Sequence, residues 1–367
     1  MIYFDNGAAT KPSKEVIEFM HYAMNEEYFN PSSLHGGGLK MEIKLKTAAN
    51  DILSLLDVQN LGDFYFTSGG TESNNLAILS TIKNRKQIIT TKAEHPSILN
   101  VIEAQKSRGY KIDYLKTDKF GLICVESLKN LLSNDTCLVS IMDTNNELGT
   151  IQNTKLIGET IKANSNALFH IDAVASFGKI QINTDYIDLI SVSSHKIHGP
   201  QGVGGLFVRK GVNLAPLFYG GSQQNKVRPG TQFTVGNLAF ALAVKQAYKN
   251  MDRNLAHVKS LYNRLINFPL EGVHINSPEG GNPYILNMSI LNTKGQVIVN
   301  ALSQENIYIS TGAACNSKNF NLLKSLGSPK DIYEGALRFS FSHYNTMEEI
   351  DKTISVLTKI INNIRLL

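Results

Sequence analysis

Short β-rich runs alternate with longer helical patterns through the first part of the chain. This alternation constrains the fold more than any other feature. The β-rich runs fall at 63–67 (DFYFT), 87–91 (QIITT), 111–115, 136–142 (TCLVSIM), 167–171 (ALFHI), 189–193 (LISVS) and 204–208 (GGLFV). Between many of them lie apolar patterns of helical period, at 39–56, 73–83, 98–108, 125–132 and 154–163. Strands separated by helices of this length build βαβ units and a mainly parallel sheet. After Asn237 the pattern changes. Residues 238–267 read as one long helix, followed by short strands at 284–290, 308–310 and 336–341 and an amphipathic helix at 347–364. The expected fold class is therefore α/β: a large domain with a mainly parallel sheet flanked by helices, plus a smaller α+β C-terminal domain. A boundary inside the long helix gives a large domain at 13–250. The small domain is then 1–12 together with 251–367.

Several function classes are excluded at this stage. Lys and Arg total 36 against 31 Asp and Glu, a net charge of +5. The basic residues are scattered, so direct nucleic-acid binding is not expected. Three cysteines, Cys124, Cys137 and Cys315, cannot form a disulfide framework. Cys124 and Cys137 sit in apolar settings that read as core. The start, MIYFDNGAAT, lacks a basic stretch followed by an apolar run, and no stretch is apolar for long enough to span a membrane. The expectation is a soluble cytoplasmic protein. No GxGxxG, P-loop, HExxH or GxSxG pattern is present, and no metal site is expected.

Five segments that follow expected strands carry the chemistry. Ser68-Gly69-Gly70-Thr71 opens a helix after DFYFT. Glycines there let backbone N–H groups approach an anion, and a Thr hydroxyl joins them at the positive end of the helix. Such a turn also serves as an ordinary cap. Ser193-Ser194-His195-Lys196 ends the apolar run LISVS. A lysine at a strand mouth either reaches solvent or, when buried, has the depressed pKa that a Schiff-base amine needs. His170-Ile171-Asp172-Ala173 ends another strand. There a carboxylate can pair with a pyridine nitrogen or cap the following turn. Glu94-His95-Pro96-Ser97 offers a catalytic histidine that could stack on a planar ring and shuttle protons, or a helix start. Asn145-Asn146-Glu147-Leu148-Gly149 offers an amide beside a ring hydroxyl, or an Asn-rich turn. A parallel sheet brings all five to one edge, where such sheets bind ligands. A phosphate cradle, a lysine, a pyridinium partner and a stacking group together match pyridoxal 5'-phosphate (PLP).

The chain resembles the cysteine desulfurase family, among the fold-type I PLP enzymes of the class V aminotransferase group. The resemblance rests on YFDNGAAT, NPSSLHGGG, FTSGGTESNNLAI, EHPSIL, NNELGTIQ, HIDAVASFGKI, SSHKIHGPQGVGGLFVRKG, RPGT at 228–231, STGAACNS, and LRFS with EEID. It implies a large PLP-binding domain in which Lys196 holds the cofactor covalently, Asp172 pairs with its ring nitrogen and His95 stacks on the ring. It further implies that Asn146 lies near the ring hydroxyl and that Gly70, Thr71, Ser193 and His195 hold the phosphate. Thr231 would reach the phosphate of a neighbouring subunit in a homodimer. Arg338 and Asn30 would take the substrate α-carboxylate, a role that the planar Arg fork suits. Cys315, in a loop of small residues, would be the nucleophile that carries sulfur from L-cysteine as a persulfide. The acceptor would be an iron–sulfur scaffold or a tRNA-thiolation protein. The chain departs from the family pattern in four places, two of them STGAAC at 310–315 where SxGSAC is common and a slightly short stretch from Cys315 to Arg338. In the other two, Ala175 stands where a glutamine is usual, and FSHYNT, with His343, replaces LGRxTT. These keep open another PLP lyase of the same fold, acting on selenocysteine or cysteine, and a catalytically weak PLP-binding partner protein.

Overall fold

In the computed structural model, residues 1–82, 85–268, 271–311 and 321–365 are described. Twelve strands are found among them: β1 (Ile2–Tyr3), β2 (Gly62–Thr67), β3 (Gln87–Thr90), β4 (Lys111–Tyr114), β5 (Thr136–Met142), β6 (Leu168–Asp172), β7 (Leu189–Ser193), β8 (Gly204–Arg209), β9 (Val273–Ile275), β10 (Ile285–Ile290), β11 (Ile307–Tyr308) and β12 (Ala336–Ser340). Seven form one sheet in the order β2-β8-β7-β6-β5-β3-β4. All its pairings are parallel except those of β8, which runs antiparallel to both β2 and β7.

Both faces of this sheet are covered, which is why its strands read as continuous apolar runs. Successive side chains point to opposite faces. Ile89, Val139, Phe169, Ile190 and Phe207 join one apolar cluster, with Leu45, Ile52, Ile157 and Phe240 from the helices Gly36–Leu55, Thr154–Asn164 and Thr234–Lys249. Their neighbours Ile88, Leu138, Leu189 and Leu206 join another, with Leu76 and Ile98 from the helices Gly70–Thr81 and Pro96–Glu103. A separate cluster unites Phe4 with Val258, Leu286, Phe339 and Leu357 around the sheet β12-β10-β9. β1 pairs in parallel with β11, so the first residues do pack against the C-terminal part.

Two expectations are corrected. Residues 238–267 are not one helix but two, Thr234–Lys249 and Met251–Ile266. The side chain of Asn250 donates to Gln246 O at 3.0 Å, taking the acceptor that its own backbone N–H would use in a continuous helix. Cys124 is exposed, not core. A bridge between Thr117 and Ile123 turns Ile123 inward and leaves Cys124 to start the helix Val125–Leu131. Cys137 is buried as expected, and burial pushes its thiol up to about 11. Among the described residues, no helix is long and apolar enough to cross a membrane, and no cluster of three or more metal-ligating side chains occurs.

Candidate active site

The carboxyl ends of β2, β3, β5, β6 and β7 lie on one edge of the large sheet. Beyond that edge is a cavity of about 560 Å³. This is ample for a small cofactor with its substrate. Gly70, Thr71, His95, Asn146, Asp172, Ser193, His195, Lys196 and Arg338 all line it, as does Ala175. The structure does not bring every expected residue there. Asn30 is exposed, and its side chain accepts from the Ser32 amide in a local turn at 2.9 Å. Thr231, expected at the neighbouring subunit's site and not at this one, is exposed and lies outside this cavity's lining. Cys315 lies outside the described residues.

The loop after β2 is shaped by glycines at two points. Gly69 adopts φ 150° and ψ −177°, a conformation that side chains disfavour. Gly204 on β8 allows the loop to approach, because a Cβ there would sit 2.6 Å from Gly69 Cα. No side chain caps the helix Gly70–Thr81. Its first backbone N–H groups therefore lack the side-chain acceptor that most helix starts supply. Thr71 adds a hydroxyl, and Ser193 Oγ lies 2.9 Å from His195 Nδ1 across the mouth. Burial, with Lys196 and Lys179 nearby, pushes His195 down to about 4, so the ring is neutral. Arg228, from the RPGT segment, braces the loop from outside. It donates to Glu72 at 2.9 and 3.3 Å, while Glu72 accepts from the Ser68 amide at 2.7 Å. Burial alone would raise Glu72, but these donors hold its carboxyl below the usual range.

Lys196 stands in the tight turn Ser194–Lys196 after β7. The YFDNGAAT segment wraps this turn. Thr10 Oγ1 donates to His195 O at 2.9 Å, and Lys196 Nζ donates to Gly7 O and Ala8 O at 2.5 and 2.8 Å. Asp172, at the end of β6, is 3% exposed. Its Oδ1 accepts from the Val174 amide at 3.0 Å and its Oδ2 from Asn74 Nδ2 at 2.7 Å. His95 is the N-cap of the helix Pro96–Glu103, so the helix-start reading and the site reading both hold. Burial is the main cause that lowers its pKa. Arg338, on β12, is buried. It donates to Asp5 Oδ1 at 2.9 Å and to Asn146 O at 3.1 Å, and its Nε has no partner.

Sequence reading missed several residues of this cavity. Burial pushes Glu94 up to about 8 and Glu147 to about 7, so near neutral pH Glu94 is mostly protonated and Glu147 partly so. Glu94 Oε1 accepts from Thr91 Oγ1, and Oε2 is unpartnered. Burial pushes the Lys179 amine down to about 7, with Lys196 and Arg338 adding to the effect. Lys179 is seven residues beyond Asp172 in a stretch with neither strand nor helix period, so nothing in the pattern placed it. Asn74 had a signal: it lies one helical turn past Gly70. His343, at the departure from the family pattern, packs edge-on against His198 with ring centroids 4.8 Å apart. It lines a second cavity of about 240 Å³ behind Lys196.

The donor set fits PLP. A glycine-shaped anion cradle, a lysine at a strand mouth and a buried carboxylate face one space, and a Cβ at Gly70 would meet Val174 at 2.8 Å. Comparison with known proteins gives the family. The chain is 35% identical to a protein named cysteine desulfurase IscS from Dictyoglomus turgidum, over 99% of this chain and 95% of that one. It is 38% identical to a NifS/IcsS protein homolog from Lactobacillus delbrueckii subsp. bulgaricus, covering 98% and 97%. A solved structure titled NifS-like protein superposes with a TM-score of 0.92 at 35% identity over all of both chains. Another, titled SspA in complex with cysteine, gives 0.83 at 30% identity over 94% of this chain and 100% of that one. The model of the aminotransferase class-V family matches residues 2–353, and the chain belongs to that family.

Proposed function

We propose that this chain is a PLP-dependent cysteine desulfurase that converts L-cysteine to L-alanine and carries the sulfur as a persulfide on Cys315. The observation that carries the reading is the convergence of Lys196, Asp172, His95 and Arg338 on one cavity. The relatives named cysteine desulfurase, and the neighbour whose title includes cysteine, support the substrate. Gly70, Thr71, Ser193 and His195 would hold the phosphate, Asp172 the ring nitrogen, and His95 and Asn146 the ring face and hydroxyl. Lys196 would hold the aldehyde carbon. PLP supplies, when bound, an electron sink conjugated with the substrate Cα.

The chain's own residues do the rest. Arg338 orients the substrate through its α-carboxylate, with Asp5 fixing the guanidinium. Lys196 Nζ takes the Cα proton. The Cys315 thiolate attacks the substrate sulfur, so that an S–S bond forms as the Cβ–S bond breaks. The electron pair released to Cβ takes up a proton, and alanine leaves. Cysteine plus thiol thus becomes alanine plus persulfide, with no external oxidant. The two-domain division at 13–250 against 1–12 with 251–367 belongs to this reading. It is supported by the separate apolar clusters and by the helix break at Asn250. So do the cytoplasmic location and the homodimer, in which Thr231 serves the neighbouring site and an iron–sulfur scaffold or tRNA-thiolation protein takes the sulfur.

The test is turnover of L-cysteine by PLP-loaded protein, with alanine and sulfur quantified. Equal amounts of alanine and protein-bound or released sulfur support the reading, together with loss of both in Lys196→Ala. Pyruvate as the product, or no turnover, overturns it. Cys315→Ser producing alanine at the unmodified rate without added thiol would remove the persulfide step.

A further inference from the structure

One wall of the cavity holds a hydrogen-bonded series of which two members, Asn74 and Ser97, have no role in the proposed reaction. Asn74 Nδ2 donates to Asp172 Oδ2 at 2.7 Å and to Ser97 Oγ at 2.8 Å. Ser97 Oγ lies 2.8 Å from His95 Nδ1, and the backbone N–H of Ser97 donates to the same nitrogen at 3.1 Å. Counting protons fixes the direction of each bond. A backbone N–H can only donate, so Nδ1 is an acceptor and carries no hydrogen. Ser97 Oγ accepts from the Asn74 amide, which leaves its own hydrogen for Nδ1. The Asp172 carboxylate in turn dictates the orientation of Asn74, because an acceptor oxygen turned toward it would be repelled. That orientation leaves Asn74 Oδ1 buried without a partner. A buried orphan acceptor is costly, so the contacts on the other side must outweigh it. With Nδ1 an acceptor, the ring hydrogen sits on Nε2, and burial, which lowers the pKa of this ring, acts in the same direction.

We infer that Ser97, through its backbone N–H and its hydroxyl together, and Asn74, which orients that hydroxyl, are positioning residues that hold His95 as the Nε2–H tautomer, keyed to the Asp172 carboxylate, so that the cavity meets a ring N–H donor. The inference rests on the reading above for the substrate, and the service it adds for that donor is proton delivery to it. The tautomer itself is measurable without turnover.

The experiment is nitrogen NMR of protein carrying ring-labelled histidine, in the solid state because of its size. Spectra are taken before and after loading with PLP, and His95→Gln identifies the His95 signals by difference. The expected result is a pyrrole-type signal at Nε2 and a hydrogen-bonded pyridine-type signal at Nδ1. In Ser97→Ala the Nδ1 signal moves toward that of an unbonded pyridine-type nitrogen, and Ser97→Thr restores it. In steady-state assays Ser97→Ala lowers kcat about 10-fold, a share of what a positioned acid or base contributes, with KM unmoved. A proton on Nδ1 in the unmodified protein overturns the inference. So does a Ser97→Ala protein whose Nδ1 signal stays in place, whatever its activity. If the unmodified protein fails to turn over cysteine, the functional reading falls while the nitrogen spectra still decide this point.

Discussion

Lowering the pH from 7 to 5 should destabilise the protein through its buried histidines, and the share of His170 can be isolated. This side chain is fully buried in β6, with Nδ1 2.9 Å from Ser140 Oγ and Nε2 2.9 Å from Ser191 Oγ. Two hydroxyls complement a neutral ring, one nitrogen donating and the other accepting. Burial pushes the ring from the ordinary 6.5 down to about 3. As pH falls below 6.5, the unfolded chain takes up a proton that the native chain refuses. The unfolded state then binds more protons, so stability declines with pH until the native ring titrates. Each pH unit in that window costs about 1.4 kcal/mol, and pH 5 lies about 1.5 units inside it, so the loss from pH 7 is about 2 kcal/mol. The measurement is urea unfolding at both pH values for the unmodified chain and for His170→Gln. The chain has no tryptophan, so circular dichroism is the probe. Glu94, raised to about 8, contributes with the opposite sign, but it is common to both proteins and cancels. The stability difference between them should shrink by about 2 kcal/mol on going to pH 5. If it moves by less than about 0.5 kcal/mol, the uncertainty in comparing such differences, the reasoning is refuted.

Three further outcomes are expected. Arg338→Ala raises KM for cysteine about 10-fold or more, since a hydrogen bond to a charged group contributes about 1.5–3 kcal/mol; an unchanged KM with intact circular dichroism would remove Arg338 from substrate binding. Gly69→Ala has open space at its Cβ but must adopt φ 150°, a strain of about 1–3 kcal/mol, so PLP affinity by equilibrium dialysis falls about 10-fold. Unweakened binding would mean that the loop conformation does not shape the cradle. Arg228→Ala leaves Glu72 without its guanidinium and lowers Tm by about 2–4 °C at neutral pH. Because the paired Glu72 carboxyl stays ionised below its usual range, that difference should persist down to about pH 5, and its disappearance by pH 6 would count against the pairing.

The sheet was legible because its strands are apolar on both faces, and a strand buried on both sides needs no alternation to be found. The five cavity segments were legible for a related reason: each is the first polar text after such a run, and a parallel sheet places those points on one edge. What stayed hidden is polar and internal. Ser140, His170 and Ser191 interrupt the runs TCLVSIM, HID and LISVS as if they were noise, yet they share the sheet face covered by the helix Gly70–Thr81. On that same face, one step nearer the edge, stands Asp172, which meets Asn74 from the helix. Their function depends on which strand lies beside which, and the order β7-β6-β5 is a tertiary fact that no local period encodes. The same limit explains Asn250, where a single side-chain bond broke an otherwise continuous helical pattern, and Asn30, whose turn absorbed the side chain that family likeness sent to the substrate. The fold is thus written in apolar spacing, but the proton inventory of the site is written in contacts between segments. Asn74 touches Ser97 and Asp172, residues 23 and 98 positions away. A substitution at Asn74 should accordingly perturb His95 and Asp172 together, and the pairwise coupling between Asn74 and Ser97 variants is the quantity that separates a working series from two independent caps.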